Sequence, residues 1–214
     1  RKTFLLFLER SAERYQELTI GNHKLSLVTA AVSCAFVLQD WHYVKRFLYG
    51  TSGFTDQGVN GVLDDGWYFQ TETGYHMLVA GYLSRIAKAA RPWGLHLFDK
   101  RIPLQERTLE GGRNRGGPSY RDYRSVKDMF DSMVALADYR DVVFANNKSH
   151  DVLLGDRFEL AYYLSRDPAY AWVLNRSPSE ERSGSSAIYP SGINALLYGV
   201  PDLPHVPDPR SSTA

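Results

Sequence analysis

Leu63-Asp-Asp-Gly-Trp-Tyr-Phe-Gln-Thr-Glu-Thr-Gly-Tyr-His76 is the stretch on which the reading of this chain turns. Turn residues, three consecutive aromatics, carboxylates, a tyrosine and a histidine fall within it. Directly after it, Met77, Leu78, Val79, Tyr82, Leu83, Ile86 and Ala87 recur at helical spacing. Asp64-Asp65-Gly66 carries turn chemistry, since Asp side chains bond nearby backbone and glycine tolerates positive φ. The aromatics are expected to form a flat apolar surface, and Thr71 or Thr73 to cap the helix. With Thr73 as the cap, Tyr75 and His76 lie in the first turn. Free backbone N–H groups and the helix dipole favour negative charge there, a setting in which a phenol ionises more readily. The plainer reading of the same residues is a capped helix whose Tyr75 only packs.

The chain around this stretch has 214 residues, 43% of them hydrophobic, enough to bury a substantial core. Its 25 basic and 24 acidic residues leave a net charge of +1, so no global field argues for nucleic acid and any attraction for anions must be local. The one cysteine, Cys34, excludes an internal disulfide and sits in an apolar run, as a buried thiol would. That run, Leu27 to Leu38, is too short to span a bilayer and reads as a core helix. The opening Arg1-Lys-Thr-Phe-Leu-Leu-Phe-Leu8 is faintly like a signal peptide but meets Glu9-Arg10 too early.

Helical periodicity appears at Phe4, Leu5, Leu8, Ala12 and Tyr15, and Thr19 to Asn22 breaks it. Further helices are expected over Leu25 to Leu38, Trp41 to Tyr49, Met77 to about Arg91, Val126 to Leu136, Phe158 to Leu164, and Pro168 to Val173 with proline at the first position. Thr51 to Asn60 reads as a Gly-rich loop. Leu95 to Leu104 reads as irregular and apolar, Gln105 to Arg124 as a polar, flexible Arg/Gly segment, and Ser177 to Gly192 as a Ser-rich loop. No convincing strand alternation is present. The fold class is therefore mainly α, with residues 1–199 as one helical domain and 200–214 as a Pro-rich linker.

Taken singly, the polar groups are weak signals. The six histidines show no ligand spacing, so no metal site is expected. Asp64, Asp65 and Glu72 can include a glycosidase acid/base pair, but turn and cap roles explain them equally. The Arg/Gly segment is by default a solvated loop, with an anion-binding loop second. Asn22 is a natural N-cap for the helix that follows it, and His23 an ordinary surface or core histidine.

Together they form a pattern. Asn22-His23 opens a buried helix, and Asp65-Gly-Trp-Tyr-Phe69 and Gly74-Tyr-His76 follow. Then come Arg85-Ile-Ala-Lys-Ala-Ala90, Phe144-Ala-Asn-Asn-Lys-Ser-His150, Phe158-Glu-Leu-Ala-Tyr-Tyr163 and Leu196-Leu-Tyr-Gly-Val-Pro201. This set resembles the heparinase II/III-like polysaccharide lyase superfamily, which also holds alginate and oligoalginate lyases. The resemblance covers most of the chain through short motifs. Two positions depart from it: Gln70 stands where the family often has Glu, and Glu72 where a small residue is usual.

The resemblance implies an incomplete α/α toroid of antiparallel helix pairs, leading to a β-sandwich that supplies further site residues and does not follow here. The present chain is accordingly expected to show little turnover by itself. It implies an acidic polysaccharide as partner, no cofactor, no nucleic acid, no membrane, and a periplasmic or extracellular location. Tyr75 is the implied acid and also a candidate base, with Asn22 and His23 hydrogen-bonding the substrate carboxylate. Trp67, Tyr68 and Phe69 would stack on sugar rings or equally belong to the core, beside Gln70 and His76. Arg113, Arg115, Asn147 and His150 would contact the anionic chain. An α/α-toroid glycoside hydrolase using Asp65 and Glu72, and a non-catalytic carbohydrate-binding scaffold, are the alternatives. A lyase alone leaves an unsaturated uronate.

Overall fold

The computed structural model describes residues 2–17, 20–63, 65–101, 124–137, 142–143, 152–153, 158–176, 197–198 and 203–209, with only the backbone of 15–17, 142–143 and 152–153. The protein is mainly helical. In chain order come α1 (Lys2–Glu17), α2 (Asn22–Leu38), α3 (Trp41–Tyr49), α4 (Phe54–Gly61) and α5 (Thr73–Ala90), then a 3-10 turn at Arg91–Trp93. After these come α6 (Val126–Leu136), β1 (Val142–Val143), β2 (Val152–Leu153), α7 (Phe158–Ser165) and α8 (Pro168–Arg176). Among the described residues no helix is long and apolar enough to cross a membrane.

The core is organised on α2 and α5, which pack on each other more extensively than any other pair. α2 buries Leu25, Val28, Ala31, Val32, Ala35 and Phe36, and α5 buries Met77, Val79, Ala80, Leu83, Ile86 and Ala87. Removing one such Leu or Ile side chain to Ala costs about 2–5 kcal/mol. Two contacts fix the relative direction of these helices. At the entry to both, a Cβ on Gly61 would lie 3.4 Å from Ile20 and 3.2 Å from the Tyr68 ring, so the segments leading into α2 and α5 meet there. At the exit, Phe36 near the end of α2 stacks with Trp93 just beyond α5, ring centroids 6.3 Å apart. The two central helices therefore run parallel, side by side.

Several local expectations are corrected. Thr51 to Asn60 is not a loop throughout. From Phe54 it is helical, because the Asp56 carboxylate takes the Ser52 N–H and Phe54, Gln57 and Gly58 turn inward. Asn22 is not the cap of α2 but its first residue. Gly21 holds the cap position, and the Asn22 side chain accepts from the neighbouring His23 N–H at 2.8 Å. Neither Thr71 nor Thr73 caps α5: Glu72 occupies that position without a side-chain cap, and Thr73 begins the helix. A two-residue antiparallel ladder, Val142 with Leu153 and Val143 with Val152, appears where no strand was expected. Two residues per strand is too short for hydrophobic alternation to register.

The α3 and α6 boundaries agree with the periodicity residue for residue, and the last helix runs three residues past the expected Val173 to Arg176. α6 opens on a capping box, Ser125 and Asp128 satisfying each other's backbone N–H groups. The Pro-rich end does not run free over its described part. Leu203 and Val206 pack on the core, and Asn175 donates to the Pro204 carbonyl at 2.8 Å.

Candidate functional site

Residues 65–72 form a tight connector folded onto the starts of α5 and α6. Leu63 N–H donates to the Trp67 carbonyl at 2.7 Å, and the Asp65 carboxylate accepts from Trp67 N–H at 2.8 Å. Gly66 adopts φ +82°, and a Cβ there would stand 2.5 Å from the Asp128 carbonyl. Both the backbone angle and the close approach to α6 demand glycine. Asp65 is thereby committed to the turn, the role that competes with a glycosidase carboxylate.

The aromatic run splits in two. Trp67 and Tyr68 are buried, and only Phe69 is exposed. The sugar-stacking role expected of Trp67 and Tyr68 is corrected on this ground, since a buried ring offers no face to a ligand. His76 is fully buried as well, its ring stacked on Trp67 at 3.9 Å between centroids and 9° between planes. Its Nδ1 accepts from Tyr68 N–H at 3.0 Å, and its Nε2 lies 3.0 Å from the Met129 carbonyl. An amide can only donate and a carbonyl only accept, so the imidazole is neutral with its proton on Nε2. Burial pushes its pKa down to about 4, against smaller opposing effects of the Met129 bond and the Asp65 charge. His76 is a pin between the connector and α6 rather than a substrate contact. The Tyr68 hydroxyl, buried and unpartnered, is pushed up to about 12 by desolvation.

What remains accessible is a small set at one end of the molecule. Asn22 is half-buried and His23 exposed in the first turn of α2; Tyr75, 38% exposed, and Gly74 lie in the first turn of α5. Because α2 and α5 are parallel neighbours, both first turns open at the same end. Two positive helix termini thus converge there, an environment suited to an anion. Gln70, on the connector, is exposed, and Glu72 is half-buried. Sequence reasoning missed two supports: Gln57, whose side-chain oxygen accepts from Gly21 N–H at 3.3 Å, and Lys24, buried in the first turn of α2. A glutamine in a supposed loop and a lysine in an apolar helix gave no signal of either.

Arg113, Arg115, Asn147 and His150 lie outside the described residues. A pocket between Phe54, Leu83 and Val126 offers about 10 Å³ to a water-sized molecule, far too little for a sugar ring. Among the described residues no group of three or more His, Cys, Asp or Glu side chains is placed to hold a metal ion. Burial raises the pKa of the half-buried Cys34 thiol.

Scanning against protein-family models and searching curated proteins and solved structures each gave no match to the chain.

Proposed function

We propose that this chain is the helical part of a polysaccharide lyase acting on a uronic-acid polymer, an incomplete α/α toroid with its cleft over the first turns of α2 and α5. One observation carries the reading. Asn22, His23 and Tyr75, the residues that the family resemblance selects, open two parallel neighbouring helices at one end and reach solvent. The other half of the motif is buried beneath as their support.

The chemistry follows from that placement. A base removes the proton on C5, alpha to the carboxylate, and the electron pair forms the C4–C5 double bond. The C4–O bond breaks, and the leaving oxygen receives a proton. The Asn22 and His23 side chains supply donors, and the positive ends of the two helices supply potential, for the carboxylate as charge builds on it. The Tyr75 phenol is the proton-transfer group, serving as acid and, as phenolate, as base.

The test is Tyr75→Phe in the intact gene product that carries these residues, assayed on uronate polymers by the ultraviolet absorbance of the unsaturated product. Turnover should fall about 100-fold or more while affinity changes little, since only a hydroxyl is removed. Near-normal turnover in Tyr75→Phe would remove Tyr75 from the mechanism. Cleavage by the wild type without new absorbance would replace the lyase by a hydrolase.

A further inference from the structure

From the opposite end of α2 and α5 runs a surface that the candidate site does not use. Trp41, Lys45 and Tyr49 occupy positions i, i+4 and i+8 of α3 and are all exposed, so they form one outward stripe. The two aromatics are 43% and 51% exposed. The segment leaving α5 runs along this stripe. Trp93, 38% exposed, stands against Trp41 at 5.2 Å and 88°, with the buried Phe36 bracing both rings. At the other end of α3, the Lys100 ammonium sits 5.7 Å from the Tyr49 ring centre. The strip therefore reads aromatic corner, cation, aromatic, cation over about 13 Å, the length of a nine-residue helix.

Buried aromatics need no ligand to explain them, but three large aromatics left in water on one strip do. The ammonium groups of Lys45 and Lys100 alternate with the rings, so an apolar partner alone does not match the surface. The two indoles meet at a right angle instead of forming parallel plates, which suits a puckered ring better than a planar base. Asp99 and His96 are also exposed on the segment after Trp93, and Asp40, at the start of α3, is spent on the Tyr43 N–H. Lys45 and Lys100 stand among the rings, with the carboxylates of Asp40 and Asp99 at the two ends of the strip.

We infer that Trp41, Trp93, Lys45, Tyr49 and Lys100 form an accessory binding strip for an acidic oligosaccharide, its sugar faces on the rings and its carboxylates on the lysines. It rests on the proposed substrate class and deepens it. The Trp41–Trp93 corner stands at the exit end of α2, about 25 Å from its first turn. The strip runs back along α3 toward Ser52, which Gln57 links to Gly21, so a long chain held on the strip leads toward the candidate site without touching the reacting bond there. Avidity from two linked contacts then raises affinity for polymers above that for short oligomers.

The experiment titrates the protein with uronate tetrasaccharides and, as comparison probes, a neutral glucan oligomer and single-stranded DNA. Acrylamide quenching of tryptophan fluorescence and calorimetry give the readouts. Of the four tryptophans, Trp67 and Trp172 are buried, so quenching reports mainly on Trp41 and Trp93. Bound uronate should shield them, and Trp41→Ala with Trp93→Ala should weaken binding about tenfold. Lys45→Gln with Lys100→Gln, which leaves the core intact, should weaken it several-fold and flatten its salt dependence. Asn22→Ala with His23→Ala should leave shielding of the tryptophans unchanged. Shielding that survives in a protein with no lyase activity keeps the strip and overturns only the proposed reaction. Lyase activity with uronate affinity unchanged in both strip variants overturns the strip alone. No shielding in the wild type, or equal shielding by the neutral glucan or by DNA, also overturns it.

Discussion

At the α5–α6 junction a neutral imidazole is buried between two backbone groups, whereas at the α6–α8 junction a charged ammonium is held by two carboxylates. Both junctions use α6. His76 reaches the Met129 carbonyl. Two residues earlier on α6, Lys127 meets Asp131 at 2.9 Å and Asp167 at 2.7 Å. The Tyr170 hydroxyl completes the second cluster, donating to Asp131 at 2.7 Å, and its own pKa is raised by burial and then by that carboxylate. Burial opposes charge on Lys127, but the bonds and charges of Asp167 and Asp131 outweigh it and leave the ammonium above its usual value. The full interior at His76 admits only an uncharged ring. The half-open α6–α8 groove admits a charge because partners and water share its cost.

This difference predicts unequal losses on mutation. His76→Leu keeps roughly the volume but leaves the Tyr68 N–H buried without an acceptor and removes the ring stacked on Trp67. Together these should cost about 3–4 kcal/mol, read as a lowered urea midpoint at unchanged slope. A loss below about 1 kcal/mol would mean that the pin is not a structural hub.

The acid limb sharpens the contrast. The folded-state pKa of His76 is depressed to about 4 from 6.5, so the unfolded chain binds the proton more readily between those values. Stability from this group is complete above about pH 6.5 and is lost as pH falls toward 4, by about 3 kcal/mol in all. His76→Gln, which retains one acceptor and one donor, should flatten that limb. An unchanged acid slope in the variant would assign the loss to other groups.

How far the sequence made this visible depends on the kind of signal each part left. α3 and α6 were legible residue for residue, since apolar residues recur at helical spacing through both. α4 was hidden because Gly53 and Gly58 read as loop punctuation, while what makes it helical is a carboxylate bond to Ser52 and inward packing. At the site, Tyr75 and His76 are adjacent in sequence and opposite in fate. One is accessible and the other is sealed beneath Trp67, and the motif gives no sign of which. The side of a helix that faces the core is set by distant residues, here Met129 on α6. Parallel α2 and α5 were equally out of reach, since that direction rests on Phe36 with Trp93 and on Gly61 beside Ile20 and Tyr68.

The smallest effect belongs to Lys127. Lys127→Met keeps the stem that lies near the Tyr170 ring but leaves Asp131 and Asp167 without their shared cation. Because the Asp131 side chain is 43% exposed and water can solvate what the ammonium leaves, the loss should be about 1 kcal/mol, below that of His76→Leu. Its pH signature is the mirror image. The folded-state pKa of Lys127 is raised, so its contribution is complete below the unfolded value of about 10.4 and is lost only as pH rises through the folded value. Between pH 7 and 9 the gap between wild type and Lys127→Met should therefore stay constant, whereas the His76→Leu gap should narrow as pH falls from 6.5 toward 4. Urea unfolding across both ranges measures the two gaps in one experiment. A Lys127→Met gap that closes before pH 9 would show that the ammonium is not held by its two carboxylates, and the contrast between the two faces of α6 would fail with it.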